Sequence, residues 1–246
     1  MTLRRRAALG LLAVGAAAAI LPPVTRWLRT PDLTYQPLPG LPGFRQLAGG
    51  GVSGGDPLRV GLDLGSEAGP ASSEDICASL FDNPAPEDRV PVAYFSDARC
   101  VYCRVLSPML HEIETDAPIH ITWHELPLLG PASQRAAKAN LAARRQGAYR
   151  VFHDRLMGTP FVPNDAYIRQ IAEDAGIDAD QVLRDMDSDE ITSTLARTAR
   201  IARAFGFFGT PALVVGRTAV LGTVERRQLR HVIEAELAET APWPCV

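Results

Sequence analysis

The sequence predicts an α/β fold in which a βαβ unit, a block of helices and a ββα unit follow one another. Three observations carry this. Val90 to Ser96 and Ile119 to Leu126 are short apolar runs, and an amphipathic stretch from Cys103 to Thr115 lies between them. Two strands joined through a helix pair in parallel. Residues 132–206 then read as helix after helix. Beyond them come two strands, Ala212 to Val215 and Ala219 to Leu221, and a last helix from Thr223 to about Glu239.

Taken in order, Arg4-Arg5-Arg6 precedes an apolar run from Ala7 to Leu21. A basic start, a short apolar core and an Ala-x-Ala ending at Ala19 read as an export signal over residues 1–24. An uncleaved membrane anchor is the alternative, though Pro22-Pro23 and the alanines make Ala7 to Val24 marginal as a span. The arginines also carry an incomplete twin-arginine pattern. Export implies an oxidising setting.

Residues 25–87 read as a tether and an irregular N-terminal segment. Pro31, Pro37, Pro39, Pro42 and Gly49-Gly50-Gly51 interrupt regular structure. Phe44 to Leu47 and Leu58 to Leu62 are expected to form an edge hairpin. The core is assigned to residues 88–130 and 207–240, and the tail to 241–246. In the helix from Cys103, residues Val105, Leu106, Met109, Leu110 and Ile113 share a side, and Pro108 should kink it. The helical insertion, 131–206, contains Ser133 to Gln146, Tyr149 to Met157, Ala166 to Ala175 capped by Asn164-Asp165, a short helix capped by Asp178, and a long one headed by Ser188.

The totals exclude some classes. A 246-residue chain with 46% hydrophobic and 22% charged residues has enough apolar content for a full core. A net charge of −3 gives no reason to expect nucleic acid as a partner. Four cysteines, Cys77, Cys100, Cys103 and Cys245, are too sparse for a disulfide-dense scaffold. Zinc would need two ligands besides Cys100 and Cys103. Cys77 and Cys245 have no C-x-x-C partner and no histidine at ligand spacing beside them. No metal or organic cofactor is expected.

Cys100-Val101-Tyr102-Cys103 is therefore the chemical centre. It follows a buried strand and opens a helix. At a helix tip, free N–H groups and the macrodipole favour an anion, which would lower the pKa of an exposed Cys100 thiol. Arg99 adds a positive charge beside it. Cys103 lies one turn deeper. His111, His153 and His231 are expected at helix surfaces. His120 and His124 are expected in packing, and Glu125 at a solvated strand end.

Phe95-Ser96-Asp97-x-x-Cys100-x-x-Cys103, the helical insertion and Gly209-Thr210-Pro211 together resemble the DsbA-like branch of the thioredoxin fold, across roughly residues 88–240. The resemblance implies a thioredoxin-like fold and an exported thiol–disulfide oxidoreductase. It implies that Cys100 is the nucleophile, Cys103 the resolving thiol and Pro211 a cis-proline preceded by Thr210. Thr210, Pro211, Val101 and Tyr102 would then meet the substrate. Partners would be protein thiols and disulfides and a redox partner protein. The sequence departs from familiar members at Val101-Tyr102, where strong oxidases carry Pro-His, and at Tyr94, where relatives carry a buried acid. Cys77 and Cys245 are expected to form a structural disulfide pinning the tail. Two other readings stay open: a thiol peroxidase or glutathione-dependent enzyme on the same fold, and a non-catalytic binding module.

Overall fold

A computed structural model describes residues 33–54, 73–81, 88–159 and 161–245. The export signal or anchor expected over residues 1–24 and the strand expected at 58–62 lie outside the described residues. Among the described residues no helix is long and apolar enough to cross a membrane.

The central strand is β4, Val90–Ser96, and every residue of it is buried. Val90, Val92 and Tyr94 point to one face, and Ala93 and Phe95 to the other. A strand covered on both faces needs this unbroken apolar pattern. It pairs in parallel with β5, Ile119–Glu125. The crossover is α2, Cys103–Asp116, and it runs unbroken through Pro108. On its other edge β4 meets β7, Ala212–Val215, antiparallel, and β7 meets β8, Thr218–Leu221. α8, Arg226–Ala238, closes the unit.

The sheet is wider than the sequence reading allowed. β2, Arg45–Ala48, pairs in parallel with β8, and β1, Tyr35–Pro37, pairs antiparallel with β2. The six-stranded order is β1-β2-β8-β7-β4-β5. Residues 45–48 pair with 35–37; the strand expected at 58–62 lies outside the described residues, and the segment read as tether contributes two strands to this sheet. Pro37, Pro39 and Pro42 lie at the sheet edge and its turn, where a missing N–H is tolerated.

Helices cover both faces. α2 and α8 bury Leu106, Leu110, Ile113, Leu229, Val232 and Ile233 on one side. The other side takes Ile76 and Leu80 of α1, Ser73–Leu80, and Ala199, Ile201 and Ala202 of α7, Asp189–Ala204. The insertion comprises α3, Pro131–Arg144, α4, Tyr149–Gly158, α5, Asp165–Asp174, and α6, Ala179–Asp185, with the start of α7. Its own core packs alanines of α3 around Phe152, Leu156, Ile168 and Ile171. Asn164, Asp178 and Ser188 each accept a backbone N–H three residues on, as N-caps do.

Two covalent or ionic ties hold the edges. Cys77 in α1 is bonded to Cys245 across 168 residues of chain. The carboxylate of Glu236, with no exposed surface, accepts from Arg45 (2.9 Å), Arg217 (3.3 Å) and Thr218 (2.6 Å). It thereby fastens α8 to β2 and β8. Removing one member of a buried pair strands the others. Glu236→Ala should cost about 3 kcal/mol or more in urea unfolding, and a loss under about 1 kcal/mol would show the tie to be inert.

Candidate active site

β4 ends at Ser96, and the chain turns through Asp97, Ala98 and Arg99 to reach Cys100. Asp97 shapes this turn. Its buried carboxylate accepts from Arg99 N (2.8 Å), Leu128 N (2.8 Å), Leu129 N (3.0 Å) and Ser133 Oγ (2.7 Å). Its carbonyl accepts from Cys100 N at 2.9 Å. One side chain therefore fixes the approach to the cysteines, the loop after β5 and the first turn of α3. Burial pushes the Asp97 pKa up, and the four donors pull against that.

Cys100 and Cys103 are both reduced and both fully buried, packed with Met157 and Leu129. The Cys103 N–H donates to Cys100 Sγ at 3.1 Å. The Cys100 thiol donates to the Thr210 carbonyl at 3.3 Å. Ionisation forfeits that bond and sets the sulfur against a carbonyl oxygen. The donors outweigh this. The Cys103 thiol first, then the Ser53 side chain and the Cys103 N–H, hold Cys100 down to about 6 against the opposing effect of burial. Cys103 moves the other way. Burial, the bond to Cys100 and the charge of Cys100 push its pKa up. The two sulfurs thus divide the work, one an anion at neutral pH and the other a thiol.

The bond Thr210-Pro211 is cis. It joins β6, Gly209–Thr210, to β7 and brings the Thr210 carbonyl against Cys100. Beneath Cys103, the Tyr94 hydroxyl bonds Ser107 Oγ at 3.0 Å. Burial, then the nearby Cys103 charge, raises the Tyr94 pKa well above the ordinary phenol value. That hydroxyl keeps its proton at any working pH.

The largest departure from expectation is the cover over Cys100. The thiol expected at an exposed helix tip lies under the protein's own β3, Ser53–Gly54, which pairs antiparallel with Gly209–Thr210. The Gly49-Gly50-Gly51 run leads into this strap and is closely packed. A Cβ on Gly49 would lie 2.0 Å from the Leu221 carbonyl oxygen, and one on Gly50 would lie 2.2 Å from Thr223 Oγ1. Gly50 N donates to Thr223 O (2.7 Å), and Thr223 N donates to Gly51 O (3.0 Å). These glycines permit backbone to lie on backbone.

Cys100, Cys103, Thr210 and Pro211 come together as the sequence suggested. Val101 and Tyr102 are 61% and 39% exposed beside them. Arg99 turns away, its guanidinium donating to the Phe161 carbonyl at 3.3 Å, and it is not among the groups that hold Cys100 down. Glu125 is neither at a solvated end nor at the cysteines. It is buried and accepts from Asn140 (3.0 Å) and Tyr149 (2.7 Å). His111 and His153, expected at surfaces, are buried. Sequence reasoning gave no role to Asp97, Ser53 or Met157. Of these, only Asp97 left a signal, as a charged residue closing an apolar strand three positions before a cysteine.

Two measurements follow. The rate of Cys100 alkylation should titrate with a midpoint near pH 6, because only the thiolate reacts. Cys103→Ala removes the main donor and should move that midpoint upward; an unmoved midpoint would assign the depression elsewhere. Gly49→Ala should loosen the strap and speed alkylation at fixed pH roughly tenfold, equivalent to about 1.4 kcal/mol of docking. An unchanged rate would show that the strap does not limit access.

The DSBA-like thioredoxin domain family matches residues 91–234, more than half of the chain. No curated protein matches it significantly. Among solved structures, a thioredoxin-like oxidoreductase from Silicibacter pomeroyi DSS-3 is 35% identical, with 67% of this chain and 97% of that one covered and a TM-score of 0.59. The thiol-disulfide exchange protein alpha-DsbA2 from Wolbachia pipientis is 25% identical, covering 66% and 90%, with a TM-score of 0.60. A periplasmic thioredoxin-like protein from Salmonella enterica serovar Typhimurium is 27% identical, covering 67% and 97%, with a TM-score of 0.58. The chain belongs to the DSBA-like thioredoxin domain family and is a thiol–disulfide oxidoreductase with a thioredoxin-like fold and a helical insertion.

Proposed function

We propose that Cys100 and Cys103 are the redox pair, and that the enzyme exchanges disulfides with exported protein substrates. The observation that supports this most is the split between the two thiols, with Cys100 held down to about 6 and Cys103 held up beside it. In the reducing direction the Cys100 thiolate attacks a substrate disulfide. One new S–S bond joins Cys100 to the substrate, and the other substrate sulfur leaves as a thiolate. Cys103 then attacks Cys100 Sγ, its proton passes to the departing sulfur, and the Cys100–Cys103 disulfide remains. In the oxidising direction the same steps run backwards, and a redox partner protein restores the starting state.

The pKa shift favours oxidation of substrates. A thiolate with a pKa of about 6 instead of 9 stabilises the reduced enzyme by about 1.4 kcal/mol at pH 7. That gain is full above pH 9 and is lost as the pH falls through about 6. It raises the reduction potential by about 30 mV. The shift moves the couple toward giving its disulfide away.

Substrate is read by backbone and by apolar contact. An extended segment takes the place of Ser53–Gly54 along Gly209–Thr210, with Pro211 fixing the Thr210 carbonyl against the sulfur. Val101, Tyr102 and Phe208 are exposed around it, and Phe161 joins them through Arg99. The N-terminal basic and apolar segment supports export, as signal or anchor, and the Salmonella relative is described as periplasmic. Cys77–Cys245 has a structural role, and the core at 88–130 and 207–240 carries the chemistry.

Cys103→Ser decides between this reading and a one-cysteine peroxidase. It should trap mixed disulfides between Cys100 and protein substrates and lose at least about 100-fold in turnover with a reduced, unfolded protein. Full turnover without Cys103 would sink the two-thiol mechanism.

A further inference from the structure

We propose that His111 Nε2, His153 Nδ1 and Asp154 Oδ1 form a binding site for a divalent transition cation of the zinc class, beside the redox pair but separate from it. His111 lies in α2, two turns beyond Cys103. His153 and Asp154 lie in α4. One ligand atom from each residue lies within 4.8 Å of the others. Asp154 Oδ1 is 3.2 Å from His111 Nε2 and 3.5 Å from His153 Nδ1. Bonds of about 2.0–2.1 Å in a tetrahedral site set ligand atoms about 3.3 Å apart, which the two contacts to Asp154 Oδ1 already match, while the two imidazole nitrogens lie within 4.8 Å of each other and would draw together on binding. Two imidazoles and a carboxylate suit zinc and its neighbours and leave a coordination position open.

The second observation is the state of His153. Its side chain is buried, and its Nδ1 faces Asp154 Oδ1 at 3.5 Å, a long contact short of good hydrogen-bond geometry. Its other nitrogen, Nε2, sits 3.5 Å from Ser96 Oγ. A ring that places its N–H toward Ser96 presents the Nδ1 lone pair to the Asp154 carboxylate. A cation between Nδ1 and the carboxylate would select this tautomer over the one that turns an N–H to Asp154. An outer N–H partner of this kind is the usual companion of a metal-bound histidine. The rings are also held. His111 stacks on Trp123 with centroids 4.4 Å apart, and His153 meets Trp123 edge-on at 4.9 Å and Tyr149 at 5.5 Å.

An entry path exists. A cleft of about 630 Å³ between α2 and α4 is lined by His111, Asp154, Arg104, Arg150 and Met157. Met157 also packs against Cys100 and Cys103. Arg150 lies 3.6 Å from the second oxygen of Asp154, which leaves Oδ1 to the imidazoles but weakens the field a cation would feel. A bound cation would cross-link the helix that carries Cys103 to the insertion.

The test uses the full chain with Cys100 and Cys103 closed as a disulfide, so that thiols cannot bind metal. Zn(II) is titrated calorimetrically, and Co(II) is followed by its visible absorption. One equivalent should bind, with a rise in Tm. Asp154→Asn, at a half-exposed side chain, should weaken binding at least about tenfold, and His111→Gln likewise. No binding at millimolar zinc, or binding that survives both substitutions, would overturn the proposal. Neither readout depends on disulfide exchange, so the result stands apart from the redox assignment.

Discussion

The Asp97 carboxylate is the constraint on which the rest depends. A buried anion is costly unless its oxygens are filled, and here four donors fill them. Those donors come from the turn before Cys100, from the loop after β5 and from the start of α3. The loop containing the first cysteine therefore cannot move without also disturbing the seam where the insertion leaves the core. That rigidity lets a thiol hydrogen bond and one backbone N–H set the ionisation of Cys100, since such contacts act only at fixed distance.

The second organising fact is the strap. In the described structure the edge of Gly209–Thr210 is already paired by the chain's own Ser53–Gly54. Ser53 both covers the Cys100 sulfur and helps hold it ionised. Access and acidity are thus coupled through one residue. On the proposed function, a segment that displaced the strap would remove a donor as it exposed Cys100, and a less stabilised thiolate is the better attacker. The close glycine crossing at residues 49–51 and Gly222 sets how firmly the strap is seated.

The parts of the fold legible in the sequence were those with strong local signals. β4 read as a continuous apolar run because both of its faces are covered, and the caps at Asn164, Asp178 and Ser188 announced their helices. The width of the sheet was not legible. Arg45–Ala48 is too short to show a period, and its place beside β8 is decided by Glu236, nearly two hundred residues away. Gly49-Gly50-Gly51 looks like a linker in one dimension, and only the Leu221 and Thr223 backbone beneath it shows a packing role. At the site, spacing revealed Cys100, Cys103 and Pro211. Ser53 and Met157 arrive by folding alone. The same holds for His111, which meets Asp154 across 43 positions that no motif links.

The bond between Cys77 and Cys245 means that the newly made chain owes a debt to other oxidants. Its tail is fixed only after a pair of electrons has been removed from those two sulfurs, so the protein is itself a substrate of thiol oxidation. Maturation therefore draws on oxidising equivalents from outside the chain, and a shortage of them would leave the C-terminal tail untethered from α1.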